Sequence, residues 1–178
     1  MATASTRSSG AQSARKSTRS TARKTTSTRS QDAIALLKAD HKEVDQMFKQ
    51  FESAKADSRK QTLVAKIVMA LKVHTQIEEE IFYPACRGEI DDDMLDEAKV
   101  EHQSAKDLIA QIEGMQVGEE LYDAKVTVLG EYIRHHVKEE EGEMFPEVRK
   151  TDLDLKALGE QLKARRAELE QQMKAQVQ

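Results

Sequence analysis

The chain has 178 residues and a mass of 20.1 kDa, which is enough for one domain with a hydrophobic core. Its 38% hydrophobic, 4% aromatic and 34% charged residues, with only seven glycines and two prolines, exclude an all-β fold and favour amphipathic helices. The formal net charge is −4. No apolar run could span a bilayer, and no apolar leader stands at the N-terminus. The single cysteine suits a reducing compartment, so we expect a cytoplasmic protein.

Residues 1–30 differ from the rest of the chain. They contain seven basic residues and no acidic one, which leaves residues 31–178 with a net charge of −11. Half of them are serine or threonine and none is leucine, isoleucine, valine or phenylalanine, so we predict a disordered tail. The same lack of an apolar face disfavours a transit peptide. The positive charges could bind nucleic acid or another polyanion, but no interleaved aromatic residues could stack on bases, and we favour a solvated tail.

Five helices are predicted after residue 30, because apolar residues recur there every three or four positions. Their predicted bounds are 31–54, 57–83, 91–115, 119–145 and 152–175. We expect Asp57 or Ser58 to cap the second helix, and Pro84 and Pro146 to end the second and the fourth. The short connections predict that consecutive helices pack antiparallel, with the fifth helix packed on the other four.

Each of the first four helices has a histidine in the middle of its apolar stripe. These histidines are His41, His74, His102 and His136. The second and fourth helices repeat one pattern, in which the histidine is followed by a glutamate at the fourth position, Glu78 or Glu140, and by a proline at the tenth. His41 and His102 each follow an acidic residue. They precede the corresponding histidine of the next helix, His74 or His136, by 33 and 34 residues. The four helices therefore form two similar pairs.

A histidine and a glutamate four positions apart lie on the same helical face. Four antiparallel helices would aim four imidazoles and two carboxylates at the bundle axis, where burial without compensation costs several kcal/mol. A bound cation would compensate, and mixed nitrogen and oxygen ligands suit iron, manganese or zinc. Six ligands exceed the need of one tetrahedral zinc, so the pattern indicates two metal ions bridged by carboxylates.

Four segments in this order resemble the hemerythrin HHE cation-binding family. They are DAIALLKADHKEVDQMF at 32–48, HTQIEEEIFYPA at 74–85, EH at 101–102 and HHVKEEEGEMFP at 135–146. The resemblance implies an up-down-up-down four-helix bundle over residues 31–148, which leaves the tail and a C-terminal helical segment, 149–178, outside it. It also implies a non-haem centre with two irons per chain, whose bridging carboxylates would be Glu78 and Glu140. The ligand positions that match are His41, His74, Glu78, His102, His136 and Glu140.

The third helix departs from the family pattern. Oxygen-carrying hemerythrins have a second histidine one turn from the first on this helix, whereas Ala98 and Lys106 stand at those positions here. An iron would then have an open coordination position or recruit His135, Glu79 or Glu101. This disfavours reversible oxygen carriage and favours turnover or iron exchange.

Several residues near the six candidate ligands have other predicted roles. His135 could replace His136 on the inner face, but the alignment of the two prolines favours His136. Asp40 and Glu101 each point about 100° away from the adjacent histidine, so we expect them to serve a neighbouring helix or the surface. The remaining glutamates of the two motifs are expected to form a solvated face or to accept from histidine N–H groups. They are Glu79, Glu80, Glu139 and Glu141.

Two functions are compatible with these features. The first is a non-haem di-iron protein that binds or reacts with dioxygen, nitric oxide or peroxide, including catalase-like turnover. The second is a sensing or interaction module, in which iron occupancy orders the bundle and regulates a partner without turnover.

Overall fold

The computed structural model describes residues 32–176, so the predicted disordered tail lies outside the described residues. The described chain is helical, and its only β-type pairing is an isolated bridge between Arg87 and Ile90. Two helices continue through a π-helical turn, labelled π1 and π2, into a short α-helix. The elements are α1 (Ala33–Ser53), α2 (Asp57–Ile77), π1 (Glu78–Phe82), α3 (Tyr83–Cys86), α4 (Asp92–Glu113), α5 (Tyr122–Glu139), π2 (Glu140–Met144), α6 (Phe145–Val148) and α7 (Leu155–Gln176).

Helix ends follow the local sequence, with two corrections to the expected boundaries. Asp32 caps α1, since its side chain accepts from the Ala35 N–H. The predicted cap of α2 is wrong, because the cap is Ala56, which offers no side-chain acceptor. Pro84 and Pro146 do not end their helices either. Each falls in the first turn of a short helix after a π turn, where a backbone N–H needs no intrahelical partner.

The first four long helices form an up-down-up-down bundle, as the sequence predicts. Helix α1 packs on α2 and α5, and α4 packs on α5 and α2. Two apolar clusters fill the bundle, one around Leu37, Ile77 and Phe82 and the other around Phe48 and Leu129. Burial of each such side chain contributes about 1.5–3 kcal/mol. A layer of buried polar residues separates the two clusters along each of these four helices, so apolar packing holds this layer from both sides.

Helix α7 packs on the outside of α1, α2 and π1. It buries Leu158, Leu162 and Leu169, which confirms the prediction of a fifth helix docked on the bundle. No helix within residues 32–176 is long and apolar enough to cross a membrane.

Candidate metal centre

The six predicted ligand residues converge in the polar layer of the bundle. His41, His74, His102 and His136 come from α1, α2, α4 and α5, while Glu78 and Glu140 begin π1 and π2. All six are buried, with at most 6% of each residue exposed. Helical periodicity places them there, because each histidine lies within the apolar stripe that its helix turns to the axis.

The ring nitrogens form two histidine pairs. The Nε2 atoms of His41 and His74 are 3.1 Å apart, and those of His102 and His136 are also 3.1 Å apart. One carboxylate oxygen lies between the pairs on each side. Glu78 Oε2 is 3.1 Å from His74 Nε2 and 3.4 Å from His102 Nε2. Glu140 Oε2 is 3.2 Å from His41 Nε2 and 3.4 Å from His136 Nε2.

Several polar atoms of this layer have no hydrogen-bond partner. They include both carboxylate oxygens of Glu78 and Oε2 of Glu140. An unpartnered buried carboxylate oxygen is costly, because it has lost its water and gained nothing in exchange. A cation between the histidine nitrogens and these oxygens would remove the cost. The donors that could hold one divide into two groups that share Glu78, namely His41, His74, Glu78 and Glu140, and Glu78, His102 and His136.

An outer carboxylate lies beside the second ring nitrogen of each histidine. The Nδ1 to oxygen distances are 2.9 Å for His41 and Glu141, 3.0 Å for His102 and Glu79, 2.7 Å for His136 and Glu101, and 3.5 Å for His74 and Asp40. When Nδ1–H donates outward, Nε2 is left unprotonated and faces the centre, which is the tautomer that a metal ion requires. The expectation that Asp40 and Glu101 serve a neighbouring helix is confirmed.

A basic side chain stands behind three of the four outer carboxylates. Lys38 Nζ is 3.1 Å from Glu141, Lys106 Nζ is 2.6 Å from Glu79, and Arg166 of α7 pairs with Asp40. Behind Glu101 stands a histidine instead, with His135 Nε2 3.7 Å from it. Three of the central imidazoles are thus linked through a carboxylate to a lysine or arginine, whereas His136 is linked through Glu101 to a histidine.

The electrostatics of the layer favour a positive charge at its centre. Burial lowers the pKa of His102, but Glu78 and Glu79 outweigh it and raise this pKa to about 8. Burial raises the pKa of Glu78, yet the facing His74 holds it well below its usual value. The same field that holds a proton on an imidazole would stabilise a metal cation in its place.

Tyr83 also belongs to this site, although it was not predicted from the sequence. Its buried hydroxyl donates to Glu140 Oε1 at 2.8 Å and lies 3.3 Å from His102 Nε2. Burial and the charges of Glu78 and Glu140 raise the pKa of Tyr83 well above its ordinary value, so the hydroxyl keeps its proton. A signal was present in the repeat, where the aromatic residue before the proline is Tyr83 in one half and Phe145 in the other.

Three residues were candidates to replace the histidine ligand that the third helix lacks, and all three lie outside the centre. Glu79 binds His102 Nδ1 and Lys106, and Glu101 binds His136 Nδ1, so both carboxylates face the outer side of a histidine. The side chain of His135 is 64% exposed. None of the three therefore lies at the centre in this structure, and the other expected alternative, an open coordination position, stays a prediction. The hydroxyl of Tyr83 lies beside His102 Nε2 on the inner side of the ring.

Comparison with known proteins agrees with this geometry. The family model described as hemerythrin HHE cation binding domain matches residues 32–148. A DNA nickase from Nostoc sp. is 25% identical over 114 residues, which are 64% of this chain and 32% of the nickase, so the chain spans about a third of that relative. The fold resembles a hemerythrin HHE cation binding domain-containing protein from Mycobacterium kansasii, with a TM-score of 0.69 and 24% identity over 78% of this chain and 87% of that one.

Proposed function

Because this chain belongs to the hemerythrin HHE cation-binding family, we propose that its buried centre holds two iron ions and reacts with dioxygen, nitric oxide or peroxide. In this proposal His41 and His74 would hold one ion, His102 and His136 would hold the other, and the carboxylates of Glu78 and Glu140 would complete the donor sets. The observation that carries it is the position of the two carboxylate oxygens, each 3.1–3.4 Å from one histidine of each pair and without a hydrogen-bond partner.

Iron suits the donor set, since imidazole and carboxylate together favour it over a soft metal. Bound iron would supply electron exchange with a small oxidant. The protein would hold the histidines in one tautomer through the outer carboxylates, and Tyr83 would hold a proton at Oη next to the second pair. A cleft of about 170 Å³ between α4 and α5 reaches His102 and His136, and it is large enough for a diatomic gas or peroxide.

We propose turnover rather than reversible oxygen carriage. The third helix lacks the second histidine of the oxygen carriers, and a protonated tyrosine lies at the centre instead. A proton donor beside a bound oxidant favours its conversion over its release intact.

The first experiment is elemental analysis of protein that has been purified without oxygen and without chelator. We expect about two irons per chain, because the buried donors form two groups. Zinc, one metal ion or none would contradict the proposal. The loaded His102→Leu protein should contain less iron and unfold at a lower urea concentration than the loaded parent. In the metal-free protein the same substitution should not destabilise the fold at a pH well above 8, where the imidazole is neutral and the change removes a buried polar group.

The second candidate function is a sensing module, and one contact favours it. Arg166 on the C-terminal helix pairs with Asp40, which lies beside His74, so this helix contacts the surroundings of the centre. Iron binding that protects α7 from protease, in a protein that does not consume peroxide, would support sensing. Peroxide consumption that is lost in His41→Ala would support the redox function.

A further inference from the structure

An acidic cleft lies between α4 and the α5–π2 segment, on the side of the bundle opposite to the α7 contact with π1. Its volume is about 70 Å³. Five of its nine lining side chains are carboxylates and none is a lysine or arginine, and these five are Glu97, Glu101, Glu139, Glu140 and Glu143. His136 also lines it, so the cleft extends from the surface to two of the proposed iron ligands.

The outer part of this cleft has no basic partner among residues 32–176. Glu97, Glu101, Glu139 and Glu143 form no ion pair with a lysine or arginine there, although most other carboxylates around the centre do. The contrast is clearest at Glu101, because the three equivalent carboxylates are backed by Lys38, Lys106 and Arg166. At the fourth position the fold leaves negative charge uncompensated.

Two carboxylates of the cleft, Glu101 and Glu139, form a possible ligand set with His135, which lines the neighbouring cleft between α4 and α5. His135 Nε2 is 3.0 Å from Glu139 Oε1 and 3.7 Å from Glu101 Oε1. Their possible ligand atoms all lie within 4.8 Å of one another. Farther in, the same cleft is lined by Glu140, which is 1% exposed and whose Oε2 has no hydrogen-bond partner. Glu101 and Glu139 of this set therefore line the same cleft as Glu140.

We propose that Glu101, Glu139 and His135 form a labile divalent-cation site through which Fe²⁺ reaches the buried centre. The destination of the ion rests on the proposed function, whereas the outer site is inferred from Glu101, Glu139 and His135 alone. Carboxylates along a narrow cleft concentrate cations and can raise their association rate by about 10- to 1,000-fold. Three partly exposed ligands leave water on the ion, so it binds weakly enough to move inward.

The opposite side of the bundle shows why the ion would use this cleft. There α7 covers α1, α2 and π1, and Arg165 and Arg166 place positive charge on Glu80 and Asp40. The cleft on that side, about 330 Å³ in volume, has basic side chains as well as carboxylates and so attracts a cation less, namely Lys66, Arg166 and Lys174 against Asp40, Glu43 and Glu170. The α4 side offers carboxylates and a cleft that leads inward.

The test uses the double variant His135→Ala with Glu139→Gln, which leaves Glu101 in place on His136. The control is Glu131→Gln, because Glu131 is an exposed carboxylate on the same helix with no ion pair in the described chain. Metal-free full-length protein is mixed with Fe²⁺ without oxygen, and free Fe²⁺ is followed with a colorimetric chelator. We expect uptake by the double variant to be about tenfold slower, with the same final iron content, while the control matches the parent.

A second measurement examines the outer site directly. Mn²⁺ is titrated into iron-loaded protein and free Mn²⁺ is counted by electron paramagnetic resonance. The parent and Glu131→Gln should bind one further Mn²⁺ per chain, and the double variant should not. Equal Mn²⁺ binding, an unchanged uptake rate or a lower final iron content in the double variant would each overturn the proposal. If the parent holds no iron, the proposed function fails, and the Mn²⁺ titration of the metal-free chain still decides whether the outer site exists.

Discussion

Replacing Tyr83 with phenylalanine tests the role of its hydroxyl in the buried layer. The aromatic ring remains, so no cavity forms, and Phe145 already occupies the equivalent position of the other half. The change removes a 2.8 Å hydrogen bond and leaves Glu140 Oε1 buried without a donor. A hydrogen bond to a charged group is worth about 1.5–3 kcal/mol, so we expect the free energy of unfolding of the metal-free protein to fall by about 2 kcal/mol.

Urea unfolding of the metal-free protein measures this loss. With an m-value of about 2 kcal/mol/M for a chain of this size, the midpoint should fall by about 1 M without a change in slope. Tyr122→Phe is the matched control, because Tyr122 is 4% exposed and its hydroxyl bonds to no described residue. The control should stay within about 0.5 kcal/mol of the parent. A loss for Tyr83→Phe no larger than that of the control would refute this account of the site.

Three further predictions concern the stability of the metal-free protein. The pKa of His102 is raised from 6.5 to about 8, so protonation of this imidazole adds about 2 kcal/mol to the free energy of unfolding. This contribution is fully present below pH 6.5 and is lost as the pH rises through 8. His102→Gln should abolish this pH dependence, as measured by urea unfolding at a series of pH values. Arg166→Ala should lower the free energy of unfolding by about 1–3 kcal/mol because it leaves buried Asp40 without its cation, whereas Arg165→Ala, at an exposed pair, should cost less than about 1 kcal/mol. Leu121→Asn should raise the melting temperature, since Leu121 is 61% exposed and has a φ of 71°, a backbone conformation that asparagine adopts at lower cost.

The sequence alone was sufficient to place the six central residues. Helical periodicity is local, so the stripe that contains His74 and Glu78 must face the core wherever the helix packs. Short connections and antiparallel packing then bring four such stripes together, which is why the bundle and the inner cluster were both predictable. Periodicity left both His135 and His136 possible, and the choice of His136 came from the alignment of the two prolines. The structure buries His136 and exposes His135.

The partners of these residues were decided by tertiary structure. His41 meets Glu141 across 100 residues of sequence, and Arg166 reaches Asp40 from a helix whose docking face had no chemical pattern. On a straight α-helix Tyr83 would lie about 140° around the axis from Glu78, and the π turn between them reduces that angle and brings its hydroxyl into the centre. Periodicity determines which way a side chain faces along its own helix, whereas contacts between helices depend on their relative rotation and spacing, which arise only when the whole core packs.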